Sequence, residues 1–523
     1  MLAPVLLFLR SIRFEFGRWV GVSGTRKIAS AHRAEFGADK SLLAHSLWRD
    51  RVFNGGWHES AGGFCEFLEP TTGKPLGRTG LSSPADIAIA AQAASIAQKS
   101  WASLPPRDRV DVFRATAALL QEHFDELAAW NMRETGGVLF KGQHEVRESV
   151  NLLNLAATMV LQPAGIMLPH GESKQSMNRR RPYGVVGVVS SFNFPLLQSV
   201  RAVAPALASG NAVVLVPHVQ TPVSGGYILA RAFELSGLPK GVLHVLPGGK
   251  EAASVLCANK LVRMISFTGS STEGRRINEL AARHFKKVSL ELGGINSLIV
   301  LEDADIDVAV SNAAWGAYFH QGQTTMAATR ILVQEKIAGE FTKRLAERAR
   351  RLVVGDPRSG EVALGPLINE RHLQRVDAIV QESIAAGATL DAGGSYSGLF
   401  FQPTVLSNVR PGMRCFDEEI GGPVTSVVSF GSDQEAAALA NRVEYGVSAA
   451  VLSSSVSRAL AIAEELNVNM LHINDQTVND EWGCSFAGRG SGGNLGAAGV
   501  ADWNEYSQWQ WLTVKDRPPL YPF

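Results

Sequence analysis

The sequence predicts an α/β protein built on parallel sheets. Three observations predict it: short apolar runs rich in β-branched residues, helix-length segments between them, and a second series of the same kind after Glu291. Buried strands alternating with helices read as βαβ units, whose sheets are covered on both faces. At 523 residues the chain can support two or three cores.

The elements follow in order. MLAPVLLFLR opens the chain with an apolar run too short to span a bilayer, with no positive charge before it and no convincing cleavage site after it. Residues 1–47 are therefore expected to be a mobile extension outside the fold. From Ser95 to Ala129, Ile96, Trp101, Val110, Phe113, Leu119, Leu120, Phe124 and Leu127 recur at helical spacings. YGVVGVVS (183–190), NAVVLVP (211–217), GVLHVLP (241–247) and RMISFTG (263–269) then read as strands with a helix-length segment between each pair. In the second series SLIVL (297–301) and RILVQ (330–334) are strands around a helix from Ile306 to Phe319. VTSVVSF (424–430) and NMLHIN (469–474) add strands, and Arg371–Ala386 and Ser455–Leu466 add helices. The domain boundary falls near Gly293–Gly294. YSQWQWLTV (506–514) alternates in the manner of an exposed strand seeking a partner edge.

Composition excludes several classes. Apolar residues are 46% and charged residues 19% of the chain, as in soluble globular proteins. A net charge of +1 gives no electrostatic case for nucleic acid or an anionic membrane. The four cysteines are scattered without a CxxC, which suits a reducing cytoplasm, and no HExxH or His/Asp cluster suggests a metal.

Three short motifs have ordinary structural readings when taken alone. Asn193 in SFNFP can cap a helix, and Glu291 in LELGG can sit in a turn. In FTGSSTEGRRI (267–277), Gly269 and Ser270 end a strand where a helix starts, a place where backbone N–H groups can receive a phosphate or merely be capped.

Together with HQGQTTMAATR (320–330) and EEIGGPV (418–424), these motifs resemble the aldehyde dehydrogenase superfamily. HINDQTVNDE (472–481), NEYSQWQW (504–511), YPF (521–523) and GVLHVLPGG (241–249) look like its benzaldehyde dehydrogenases, and the likeness runs from about Phe53 to Phe523. The resemblance implies a Rossmann-like nucleotide-binding domain (48–161 and 183–290), a catalytic domain (291–502), and an oligomerisation arm (162–182 and 503–523) that builds homodimers or tetramers. It implies NAD or NADP as cofactor and a small aromatic aldehyde as substrate. By the same resemblance Asn193 donates its amide to the oxyanion and Glu291 is the general base. Gly269 and Ser270 meet the pyrophosphate, and Glu419 holds the nicotinamide ribose.

The departures fall on the chemistry. Thr325 stands where the family has its nucleophilic cysteine, Val216 where it has a ribose-binding lysine, and Gly421 where it has a phenylalanine that packs on the ribose. The nearby glutamate of NAD-preferring relatives is Val219, and in SFAGRG (485–490) Ser485 and Ala487 differ while Phe486 remains. A lost charge-assisted hydrogen bond costs roughly 1.5–3 kcal/mol, so the cofactor is expected to bind weakly. A hydroxyl needs a dedicated base to attack, which makes ordinary thiol catalysis untenable. Two functions remain: oxidation of an aromatic aldehyde by altered chemistry, or a catalytically inactive homologue acting as a binding or partner subunit. Cys484 is not expected to replace the nucleophile, because DEWGCSF supplies acidic neighbours and no cation.

Overall fold

The computed structural model describes residues 41–169, 174–442, 446–481, 484, 492–494 and 502–523. Its first sheet contains β1 (Arg51–Asn54), β2 (Trp57–Glu59), β3 (Val185–Val189), β4 (Ala212–Val216), β5 (Leu243–Val245), β6 (Val262–Gly269) and β7 (Lys287–Leu292). Their order is β7-β6-β3-β4-β5-β1-β2; β3 to β7 run parallel, and β1 pairs antiparallel with β5 and β2. β4, AVVLV, is buried along its whole length, which explains why it reads as a continuous apolar run instead of an alternating one.

The second sheet contains β8 (Ser297–Val300), β9 (Arg330–Gln334), β10 (Thr389–Ala392), β11 (Thr404–Ser407), β12 (Val424–Phe430), β13 (Ser448–Leu452) and β14 (Met470–Ile473). Its order is β10-β11-β12-β9-β8-β13-β14, parallel except for the β10–β11 pair. One apolar cluster surrounds the first sheet, and two more fill the opposite faces of the second.

Five helices position the site: α1 (Phe124–Thr135), α2 (Leu139–Met159), α3 (Pro195–Ala208), α4 (Ser271–Ala282) and α5 (Glu370–Ala385). The helical pattern over 95–129 resolves into three helices, Pro84–Ser103, Pro106–Glu122 and α1, broken at prolines 105 and 106 and at His123. The expected 306–319 helix runs Ile306–Tyr318.

Strands Gly165–Met167 and Gln175–Pro182 form an antiparallel sheet with the C-terminal strand Ser507–Val514, which pairs with Gln175–Pro182 along all eight of its residues. Trp509 and Trp511 stay exposed on it, and Arg180 lies over the Trp509 ring.

The expectation for residues 1–47 is corrected at its end. Leu42 and Leu43 are buried in the core of the first half, and both their backbone N–H groups donate to the Glu126 carboxylate of α1. Two leucines beside a short helix, His45–Trp48, bury apolar surface that a free tail would leave in water. Residues 1–40 lie outside the described residues.

Candidate active site

The first sheet reverses direction at β3. From there the chain steps outward through β4 and β5, then returns to the other side of β3 with β6 and β7. Ligands of open parallel sheets bind at the carboxyl ends of the strands beside such a switch. Asn193 follows β3, Val216 ends β4, Gly269 ends β6 and Glu291 lies near the end of β7, so the structure brings all four to one edge.

Asn193 immediately precedes the first turn of α3, where Pro195 occupies a position that needs no N–H donor. No side chain of the helix itself caps this end. Instead the buried Glu145 of α2 accepts from Leu196 N at 3.0 Å and Leu197 N at 3.1 Å. Glu145 is itself paired with buried Lys141, whose Nζ also donates to Asn131 Oδ1 at 3.0 Å. Burial pushes the Lys141 pKa down, and Glu145 opposes it. The Asn193 amide therefore hangs from a helix end fixed by a second helix. Its Oδ1 is buried without a donor, and its nitrogen makes no hydrogen bond among the described residues.

Glu291 is nearly buried and accepts from Thr268 Oγ1 at 3.3 Å. Burial raises its pKa; Arg201 and the Thr268 hydroxyl pull it down, and Asp480 pushes it up. Arg201 comes from α3 and pairs with Asp480 at 2.6 Å. Sequence reading missed Arg201, although a lone arginine in the apolar run LLQSVRAVAPALA was a visible signal.

The segment carrying Thr325 is held from several sides. His320, Gln321 and Gly322 adopt φ of 50, 56 and 66° in succession, a conformation two non-glycine residues keep only when their surroundings impose it. Gln321 Nε2 donates to Gly136 O at 2.8 Å and Pro366 O at 2.9 Å, and Gln323 Oε1 accepts from Ile368 N at 3.0 Å. Asn296, five residues beyond Glu291, donates to the carbonyls of Thr325 at 2.8 Å and Ala327 at 3.1 Å. The loop is thus built as if for a fixed nucleophile. Thr325 is half-buried, and its hydroxyl has no hydrogen-bond partner among the described residues.

The cofactor positions are partly equipped. Ser270 caps α4 by accepting from Glu273 N at 3.4 Å, and the Ser271 hydroxyl at the same helix end is buried without a partner. The Glu419 carboxylate presses on the Cα of Gly293, where any side chain would collide with it. Burial lifts the Glu419 pKa to about 7, with Arg375 opposing. An unpartnered hydroxyl at a helix N-terminus and a carboxylate against a glycine fit a dinucleotide's phosphates and ribose. Val216 is fully buried and offers no charge.

At Gly421 the structure alters the sequence reading. Its φ is 68°, and a side chain there would start 3.1 Å from the His372 ring, so a phenylalanine does not fit this backbone. Near Cys484 the fold adds what its neighbours in sequence lack: Arg201, folded in from α3, lies within electrostatic reach of it. The sulfur accepts from Glu481 N at 3.2 Å. Ser485, Phe486 and Ala487 lie outside the described residues.

Comparison with known proteins gives the family. The aldehyde dehydrogenase family model matches residues 57–512, and the chain belongs to that family. It is 44% identical over 486 residues to a vanillin dehydrogenase of Amycolatopsis sp., covering 92% of this chain and 100% of that protein. It is 44% identical over 479 residues to a benzaldehyde dehydrogenase [NAD(+)] of Pseudomonas putida, covering 91% and 98%. The betaine aldehyde dehydrogenase of Staphylococcus aureus, solved in complex with NAD+, superposes with a TM-score of 0.89 at 30% identity, covering 93% and 99%. Among the described residues no helix is long and apolar enough to cross a membrane.

Proposed function

We propose that the protein oxidises an aromatic aldehyde to its acid with NAD+ or NADP+, acting on the aldehyde hydrate without a covalent thiol intermediate. The observation that carries this is Glu291, a nearly buried carboxylate with raised pKa at the same sheet edge as the unpartnered Asn193 amide. Glu291 takes the proton from one hydroxyl of the hydrate, and the carbon–oxygen bond gains double-bond character as the carbon gives up hydride. The Asn193 amide N–H steadies the oxygen on which negative charge develops. A bound nicotinamide dinucleotide supplies the hydride acceptor, held by Gly269, Ser270 and Glu419, weakly for want of a lysine at Val216. Thr325 fills the nucleophile position without attacking. The aromatic substrate is inferred from the names of the vanillin and benzaldehyde dehydrogenase relatives. The exposed C-terminal strand is the arm through which copies pair, and four free thiols suit the cytoplasm.

A second reading is favoured by Thr325 itself: a non-catalytic homologue that binds an aldehyde, a dinucleotide or an active partner. Purified protein with benzaldehyde and each dinucleotide, followed by absorbance of the reduced cofactor, decides between them. Slow turnover abolished by Glu291→Gln supports the first reading; no turnover with either dinucleotide supports the second.

A further inference from the structure

One buried ring, His320, connects the loop of Thr325 to the segment of Asn193. His320 opens the run of positive φ at the start of the Thr325 loop, and its side chain is buried. Its imidazole packs edge-on against Phe194, the residue after Asn193, with ring centroids 5.3 Å apart and the planes at 73°. Gly137 abuts the same imidazole: a Cβ there would start 3.0 Å from His320 Nδ1 and 3.2 Å from its Cε1, so glycine leaves the ring its place. Lys141 closes the group, its Nζ lying 4.8 Å from the centroid of the Phe194 ring.

Neither nitrogen of His320 makes a well-aligned hydrogen bond among the described residues, and both are shut off from solvent. Burial and the charge of Lys141 hold the imidazole well below the usual histidine pKa, against the Asn193 carbonyl and the Gln321 side chain, which favour its protonated form. The ring is therefore neutral and has one N–H to donate, with the Asn193 carbonyl as a backbone acceptor close by.

We propose that His320 is a positioning residue: wedged among Gly137, Lys141 and Phe194, it ties Asn193 to the Thr325 loop and so sets the distance between the oxyanion donor and residue 325. This rests on the reading of Asn193 above. The Glu145 cap fixes α3 from Leu196 onward, but it does not reach the loop. His320 supplies that link from a segment that is itself anchored, since Gln321 holds Gly136 and Pro366, and Gln323 holds Ile368. The left-handed φ of 50° at His320 is strain that these contacts impose. A misplacement of about 1 Å at a reacting site can cost on the order of 100-fold in rate, so a link of this kind governs turnover more than substrate affinity.

The test compares three variants of the full chain. Glycine and asparagine both tolerate a left-handed backbone, so His320→Gly and His320→Asn separate the ring from the φ it adopts. His320→Gln offers an amide N–H at longer reach. Kinetics are measured in the Thr325→Cys background at saturating dinucleotide, alongside crystal structures of the same proteins. His320→Gly is expected to lower kcat about 10-fold or more, with KM for benzaldehyde changed by no more than about twofold, and to shift the Asn193 amide relative to residue 325. One of the two amide variants should restore both. Gly137→Ala, which presses on the same ring, is expected to move Asn193 likewise and replaces His320→Gly should that variant not fold. Asn193 left in place by His320→Gly or by its replacement overturns the proposal, as does an unchanged kcat or equal impairment in all three variants. If the Thr325→Cys background itself does not turn over benzaldehyde, the reaction reading fails, and the position of Asn193 in the crystal structures alone decides whether His320 sets it.

Discussion

The guanidinium of Arg201 lies 2.6 Å from the Asp480 carboxylate and at the same time holds down the pKa of Glu291, so one half-buried cation serves two carboxylates. Glu291 acts as a base only when deprotonated, and its pKa already stands above the ordinary carboxylate value because of burial. Replacing Arg201 by Met removes the lowering influence and leaves Asp480 unpaired, and both changes raise Glu291 further. The acid limb of kcat/KM is expected to move to higher pH, with a greater loss of rate in mildly acid than in mildly alkaline buffer. An acid limb that stays in place would detach Arg201 from the base.

Thr325→Cys should raise aldehyde oxidation by about 100-fold or more, since a thiolate attacks where a hydroxyl does not and the loop is already fixed by Asn296 and Gln321. At low dinucleotide concentration recovery stays partial, because Val216 offers the cofactor no charge. Steady-state rates at saturating dinucleotide provide the check.

Cys484→Ser should leave the rate nearly unchanged. Arg201 lies near this thiol, yet the guanidinium already pairs with Asp480. Parallel assays of Cys484→Ser and Glu291→Gln separate the two groups: a collapse in the cysteine variant would move the chemistry to Cys484.

Gly421→Phe is expected to destabilise the fold and to leave dinucleotide binding no tighter. A left-handed backbone costs a bulky residue about 1–2 kcal/mol, and the side chain also meets His372. Chemical denaturation and calorimetry on the same variant measure both effects.

Lys141→Met should cost about 3–5 kcal/mol, because Glu145 would remain buried without its cation. The midpoint of denaturant unfolding reads this directly.

Local sequence carried a good part of this molecule. The runs that became β3 and β4 announce themselves by unbroken apolar residues, and Asn193, Glu291 and Thr325 stand in recognisable motifs. What escaped depends on partners far along the chain. Arg201 meets Asp480 across 279 positions, and Leu42 meets Glu126 across 84. The value of Gly421 likewise lies in His372, 49 residues earlier. No local pattern records such pairings, since burial is decided by which elements the fold brings together.

The Glu145 cap has a consequence for how this molecule breathes. The first amides of an ordinary helix exchange with solvent as its end frays, but those of Leu196 and Leu197 are bound to a carboxylate on another helix. Deuterium can enter there only when α2 and α3 part. These two amides are therefore a native gauge of whether the segment bearing Asn193 opens alone or as one cooperative unit with its neighbour.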